Sequence, residues 1–318
     1  MATCVLLVSF PAATCFLNVA QQVMRKNNIL PRVLDHVVHV VRDLDAAAEL
    51  YRRLGFSVGA RNRHPPEWGT HNQIVQLPDV FVELLAVADL TGIAPHAERY
   101  FSFGAHNRDF LARGEGLSMI ALKGRGAADA AVFRSAAIGD FQNYQFEREA
   151  VRPDGATVKV AFSLAFAADP QAPDVGFFTS QNHYPENFWN PAFQVHPNSA
   201  AAIAAVVMVA ENPADHHIFL SAFVGERDIE ASSSGITVPT PRGVIRVMDP
   251  AAFRIHFGVE PPGVARGARI AGLQIAVRDF GAAVVALKAG HIDAQVRMGR
   301  IVVASEIGMG ATFVFERA

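Results

Sequence analysis

Leu34-Asp35-His36-Val37-Val38-His39-Val40-Val41, then Arg42-Asp43-Leu44-Asp45 and Ala46-Ala47-Ala48-Glu49-Leu50-Tyr51, decides the fold. The first eight residues are a mostly apolar, β-branched run suited to a strand. Asp43 or Asp45 then supplies an N-cap, a carboxylate that accepts orphan backbone N–H groups. The alanine-rich segment is a helix, and Gly55 in Leu54-Gly55-Phe56 suits a left-handed stop. Strands are expected near Phe56–Ala60, His71–Leu77 and Val80–Ala86. The unit is one strand, one helix and three strands.

The unit recurs. Leu273 to Phe280 repeats the first strand and its turn, Gly281–Lys288 the helix and Gly290 its stop. Gln295–Met298, Ile301–Ala304 and Ala311–Phe315 are the strands that follow. Two weaker copies lie between, one opening at Leu117–Leu122 with a helix over Ala127–Ala137, the other at Ile203–Val209 with a helix near Ala214–Phe223. A mixed sheet with one helix leaves its other face bare, so units should pair side by side into curved sheets. The expectation is an α+β protein: four βαβββ units in two curved mixed-sheet domains, over 31–190 and 191–318. Pro185–Pro197 is read as the linker, and Pro261–Gly267 as a connection inside the second pair.

Residues 1–30 are read as an extension. The stretch from Ala2 to Val23 is mostly apolar, carries both cysteines, Cys4 and Cys15, and precedes the first charge at Arg25. An unstructured leader, an export or membrane signal and a packed helix all stay open, although basic residues follow rather than precede the apolar run. A start at Met24 would lead straight into the first strand of a cytoplasmic protein. A formal net charge of -2 removes the electrostatic case for nucleic-acid binding. Two cysteines rule out a disulfide framework and a thiolate zinc site. Chemistry is therefore sought among the twelve histidines and the carboxylates.

Arg63-His64-Pro65, Trp68-Gly69-Thr70-His71-Asn72 and Val82-Glu83-Leu84-Leu85 carry a resemblance, as do Gln181-Asn182-His183-Tyr184-Pro185-Glu186, Trp189 and His196-Pro197-Asn198. With the repeated unit, they resemble the vicinal oxygen chelate superfamily of glyoxalases, extradiol dioxygenases and bleomycin-resistance proteins, and within it the glyoxalase-like domain branch. The strong resemblance spans roughly residues 33–200. It implies a divalent metal (Zn, Ni, Fe or Mn) held by a histidine on a unit's first strand and a glutamate on its fourth, which here are His36 and Glu83. Imidazole and carboxylate suit such ions.

A third ligand is sought in the second unit. Its first strand offers Ser118 where the first has His36, so His183, or Gln181, near the end of its fourth strand is the candidate. Strand alternation puts His36 on one face and His39 on the other, so His39 is read as structural. His64 is the acid–base candidate, and Trp68, Asn72 and Gln181 are substrate contacts, with Gly69 permitting close backbone approach. Gly272 and Ala205 are read as the His36 positions of the last two units, and Glu316 as a Glu83 position, leaving the second pair degenerate. His216-His217 is read as a surface pair, and Phe101, Phe103 and Phe110 as a cleft cap or an inter-domain contact.

The functional expectation is an enzyme with lyase, isomerase or dioxygenase chemistry on a small oxygen-bearing molecule, with no membrane or nucleic-acid partner and a homodimer left open. The alternative is a metal-free protein that sequesters a small apolar compound.

Overall fold

The structure, a computed structural model, describes residues 30–151 and 155–318. The readings made of the apolar leader and its cysteines lie outside the described residues. The first pair of units comprises β1 (Leu34–Val40), α1 (Leu44–Arg53), β2 (Asn62–Arg63), β3 (Thr70–Leu77), β4 (Val80–Val87), α2 (Phe103–Leu111), β5 (Gly116–Lys123), α3 (Ala127–Ser135), β6 (Tyr144–Val151), β7 (Thr157–Ala167) and β8 (Gly176–Asn182). A short α4 (Pro185–Phe188) leads to the second pair. That pair holds β9 (Ala200–Val209), α5 (His217–Val224), β10 (Glu230–Ser232), β11 (Gly235–Pro239), β12 (Val244–Met248), α6 (Pro250–Phe257), β13 (Arg269–Val277), α7 (Phe280–Ala289), β14 (Gln295–Arg297), β15 (Arg300–Val303) and β16 (Thr312–Arg317).

Each pair makes one eight-stranded mixed sheet, ordered β2-β3-β4-β1-β5-β8-β7-β6 and β10-β11-β12-β9-β13-β16-β15-β14. Within a unit the first and fourth strands run parallel, and the two units meet antiparallel at β1–β5 and at β13–β9. Four βαβββ units in two curved sheets is the architecture the repeats predict. Asp43 caps α1 by accepting from the Asp45 and Ala46 N–H groups.

One apolar cluster joins the backs of both sheets through the helices between them, with Tyr51, Phe133, Phe223 and Leu287 at its centre. Polar side chains stitch the same seam. Arg32 donates to the Phe223 carbonyl at 2.7 Å and Arg53 to that of Gly290 at 2.7 Å. His39 Nε2 donates to the Met309 carbonyl at 2.9 Å, and its Nδ1 accepts from the Tyr51 hydroxyl at 2.9 Å. The concave faces look outward and carry separate clusters. Among the described residues no helix is long and apolar enough to cross a membrane.

Several local expectations change. Phe56–Ala60 is not a strand, and β2 begins at Asn62. The Ser57 N–H and hydroxyl are taken by His196 Nδ1 and the Val195 carbonyl, so the segment's start is held by the proline-rich linker, and Gly59 alone meets β3, through the Ile74 carbonyl and the Gln73 amide. Two helices were not anticipated, α2 and α6, and each packs its phenylalanines on a concave face. Phe103 and Phe110 thus cover the cleft, with Phe101 packed against them. His216 is buried and bonded to Asp169 at 2.6 Å; only His217 is at the surface.

Burial pushes His39 down to about 4, against the opposing pull of the Met309 carbonyl. Burial does the same to His106, down to about 4, against the Ser118 carbonyl. The unfolded chain takes up these protons near pH 6.5 and the folded chain only near 4, so stability is full at neutral pH and falls as pH drops between those values. Each histidine should account for on the order of 3 kcal/mol by pH 4. Urea unfolding from pH 7 to 4 should show this loss, and His39→Gln, whose amide can serve both partners, should flatten the slope.

Candidate functional site

The first sheet's concave face holds a cavity of about 60 Å³ lined by His36, His64, Trp68, Asn72 and Glu83 with a largely aromatic remainder. One water takes about 10–15 Å³ by this measure, so the space suits roughly four to six waters or one small ring.

Glu83 lies mid-strand on β4 and is 5% exposed. An ionised carboxylate there is costly unless donors surround it. Asn72 Nδ2 donates to its Oε1 at 2.6 Å, His64 Nε2 lies 3.2 Å from the same oxygen, and His36 Nε2 lies 3.7 Å from Oε2. Burial alone would push the Glu83 carboxyl up. The His64 hydrogen bond and charge, the His36 charge and the Asn72 amide outweigh it and hold the group below the ordinary carboxylate range.

Each imidazole is held from behind. His36 Nδ1 bonds Asp35 Oδ2 at 2.7 Å, and His64 Nδ1 meets Thr70 Oγ1 at 2.8 Å. Neighbours on a regular strand face opposite ways. The β1–β5 register slips between Leu34 and His36, and this bulge brings the Asp35 carboxylate to the His36 ring. A carboxylate on Nδ1 fixes the ring so that Nε2 faces the site. His36 also stacks on Phe81, centroids 4.3 Å apart.

Trp68 is not a free platform. It is 3% exposed and stacked on Phe103 at 4.4 Å, so it forms the wall. Gly69 adopts the left-handed conformation (φ 59°), and a Cβ there would sit 2.2 Å from the Asp89 carbonyl oxygen. Its freedom serves loop closure against protein backbone, not the approach of a ligand.

Gln181 and His183 are elsewhere. Phe178 and Ser180 of β8 face the cavity, so alternation turns Gln181 away, toward the Gly126 turn. His183 is exposed, and its Nε2 bonds Ser163 Oγ at 2.7 Å outside this cavity.

Register also revises the repeat equivalences. His36 lies two residues before Val38, the partner of Glu83. The same offset from Glu316, the partner of Ala276, gives Gln274 rather than Gly272. In the second unit the residue opposite His36 is Ala121, not Ser118, and its fourth-strand counterpart is Ser180. Ser118 falls in a second register shift and donates to Asn107 Oδ1 at 2.7 Å. The second unit therefore offers neither imidazole nor carboxylate at the repeated positions. The loop residue His64 stands nearest the first unit's pair.

Three donors fit a divalent ion in type. Metal bonds of about 2.0–2.2 Å place neighbouring ligand atoms roughly 3.0–3.6 Å apart, close to the His–Glu separations here. The Asn72 amide nitrogen donates to Glu83 and lies 3.0 Å from His64 Nε2, and among the described residues no three His, Cys, Asp or Glu side chains converge in metal-binding geometry. Asn72 Oδ1 is buried without a protein partner.

Sequence reasoning missed Asp35, Thr70 and Arg148. The β6 alternation that puts Phe146 and Arg148 on one face was the available signal for Arg148.

The sequence profile of the glyoxalase-like domain matches residues 34–223. Among solved structures, a hypothetical protein from Staphylococcus aureus is similar at TM-score 0.63 and 13% identity, over 90% of this chain and 99% of that one. A mutant 4-hydroxymandelate synthase from Streptomyces coelicolor is similar at TM-score 0.56 and 12% identity, over 91% and 95%. At these identities the likeness concerns the fold. No curated protein matches the sequence.

Removing the Asn72 amide should leave a buried carboxylate short of a donor. Asn72→Leu is expected to cost about 1.5–3 kcal/mol in chemical denaturation, and much less in a Glu83→Leu background. Equal costs in both backgrounds would mean that the amide does not act through Glu83.

Proposed function

Because the chain belongs to the glyoxalase-like domain family of the vicinal oxygen chelate superfamily, we propose that it is a divalent-metal enzyme acting on a small oxygen-bearing organic molecule, with His36, His64 and Glu83 as the metal donors. The observation that carries this reading is the meeting of two imidazole Nε2 atoms at one ionised, buried carboxylate, with each Nδ1 held by a partner behind it. His64 takes the place first sought at His183, and so serves as a donor rather than as an acid–base group.

A bound Zn, Ni, Fe or Mn ion would supply Lewis-acid stabilisation of charge developing on a substrate oxygen. The chain's own residues prepare the rest. Asp35 keeps His36 Nε2 directed inward, where it would offer its lone pair to the ion. Three protein donors leave positions open for substrate oxygens, as catalytic sites require. The Asn72 Oδ1 acceptor is available to a substrate hydroxyl. The aromatic walls exclude water, which strengthens electrostatic interactions inside. Lyase, isomerase and dioxygenase chemistry all remain within this reading.

Elemental analysis of protein purified without chelator should find close to one divalent ion per chain. His36→Ala, His64→Ala and Glu83→Gln should each lower that occupancy at least tenfold under dialysis, as loss of a ligand does. His183→Ala should leave it unchanged.

The Asn72 and His64 contacts to Glu83 favour a second reading, a pocket satisfied without a metal that sequesters a small apolar compound. Ligand-induced thermal stabilisation that is indifferent to chelator and to Glu83→Gln would select it.

A further inference from the structure

Arg148 stands out among the cavity residues because nothing in the carboxylate cluster uses it. It is the cationic side chain on the cavity wall, carried by β6 on the same face as Phe146. Among the described residues no carboxylate lies within ion-pair distance of it, and its one hydrogen bond runs from Nη1 to the Glu149 carbonyl at 3.2 Å. A guanidinium has five N–H donors in a planar fork, so most of this one's capacity is unspent. Burial lowers its pKa while the Glu83 charge pulls the other way, which marks a cation partly stripped of water. Such a group gains most from an anion that enters with a matching pair of oxygens.

Its position says where that anion would sit. Ile74, Arg148 and Phe188 line both the inner cavity and a wider groove of about 680 Å³ that runs out past Asn187, Trp189 and Phe193. Arg148 therefore stands at the neck between the two. Inside the neck the walls are mostly rings, among them Phe81, Phe103, Phe162 and Phe178.

We propose that Arg148 is the specificity-determining residue of this pocket and that the ligand is a small organic carboxylate, its carboxylate held at the neck and its apolar ring or chain inside. The assignment rests on reading this cavity as the ligand site, and it is independent of whether a metal is bound. The guanidinium also offsets Glu83, which would otherwise repel an incoming anion.

The test uses the full chain and two probes of nearly equal shape, phenylacetate and phenylacetamide. Binding is followed by calorimetry and by the fluorescence of the two tryptophans, Trp68 and Trp189, which line the cavity and the groove. Titrations are run with chelator present, so that no metal can hold the carboxylate. Wild type should prefer the anion by roughly tenfold or more. Arg148→Gln should erase the preference while leaving phenylacetamide binding as it was, and Arg148→Lys should restore part of it, since an ammonium keeps the charge but loses the fork. A preference that survives Arg148→Gln, or a wild type that binds neither probe or both equally, overturns the proposal. Metal occupancy is measured separately, on protein purified and dialysed without chelator. Metal retained without anion preference defeats this inference and leaves the metal-enzyme reading standing, whereas preference without metal does the reverse.

Discussion

The arrangement of the first cleft follows from one cost, the burial of the Glu83 charge. A lone carboxylate cannot stay ionised in an aromatic pocket, because desolvation outweighs anything the rings return. Here it stays ionised because two imidazoles and one amide converge on its oxygens. Each of those groups must then be held in turn. Asp35 reaches His36 through a bulge, Thr70 holds His64, and the Trp68–Phe103 stack keeps the His64 loop against the sheet. Gly104 shows how close that packing is, for a Cβ there would lie 2.1 Å from the Trp68 carbonyl oxygen. Helix α2 can press on the loop only without a side chain at that point.

The second sheet solves the same problem in the opposite sense. Glu316 occupies the register of Glu83, but Arg300 bonds it at 2.9 Å and Gln274 at 3.0 Å, and Gln274 accepts in turn from Arg246 at 2.7 Å. One guanidinium and one amide thus occupy Oε2, and the carboxylate is neutralised by an arginine instead of facing imidazoles. Phe253 and Phe257 of α6 then pack into the remaining concavity. The two sheets share one backbone plan, and the identity of their inward side chains separates an imidazole-lined cavity from an arginine-paired, phenylalanine-packed face.

This division explains which features were legible in the sequence. The βαβββ repeat, the Asp43 cap and the opposed faces of His36 and His39 depend on local periodicity, which a sequence displays directly. Glu83 and Asn72 belong to regular strands, so parity and repeat position located them. Asp35 was hidden because a bulge reverses the parity that strand reasoning assumes. Ser118 misled for the same reason, and Gln274 was displaced by the register shifts between β13 and β9. His183 failed on a different ground. Its distance along the chain from the repeat was right for a fourth-strand residue, but the side chain lies beyond the strand's end, where the chain has turned toward α4. Helices α2 and α6 carry no repeat signal, since they lie between units rather than within them.

A donor supplied by a loop has a physical consequence. Strand residues are fixed by the hydrogen-bond ladder on both sides, whereas His64 is positioned by a turn, one glycine and the packing of Trp68 beneath α2. The carboxylate cluster is thus in contact with the aromatic cover: the His64 ring lies edge-on to both Trp68 and Phe103. The walls that shape the pocket and the charges that give it chemistry are one mechanical unit. The free guanidinium of Arg148 stands on β6, at the far end of the sheet from β3 and β4, and closes that unit across the cavity. A ligand bridging Arg148 and the Glu83 cluster would span the curved sheet from β6 to β3 and β4.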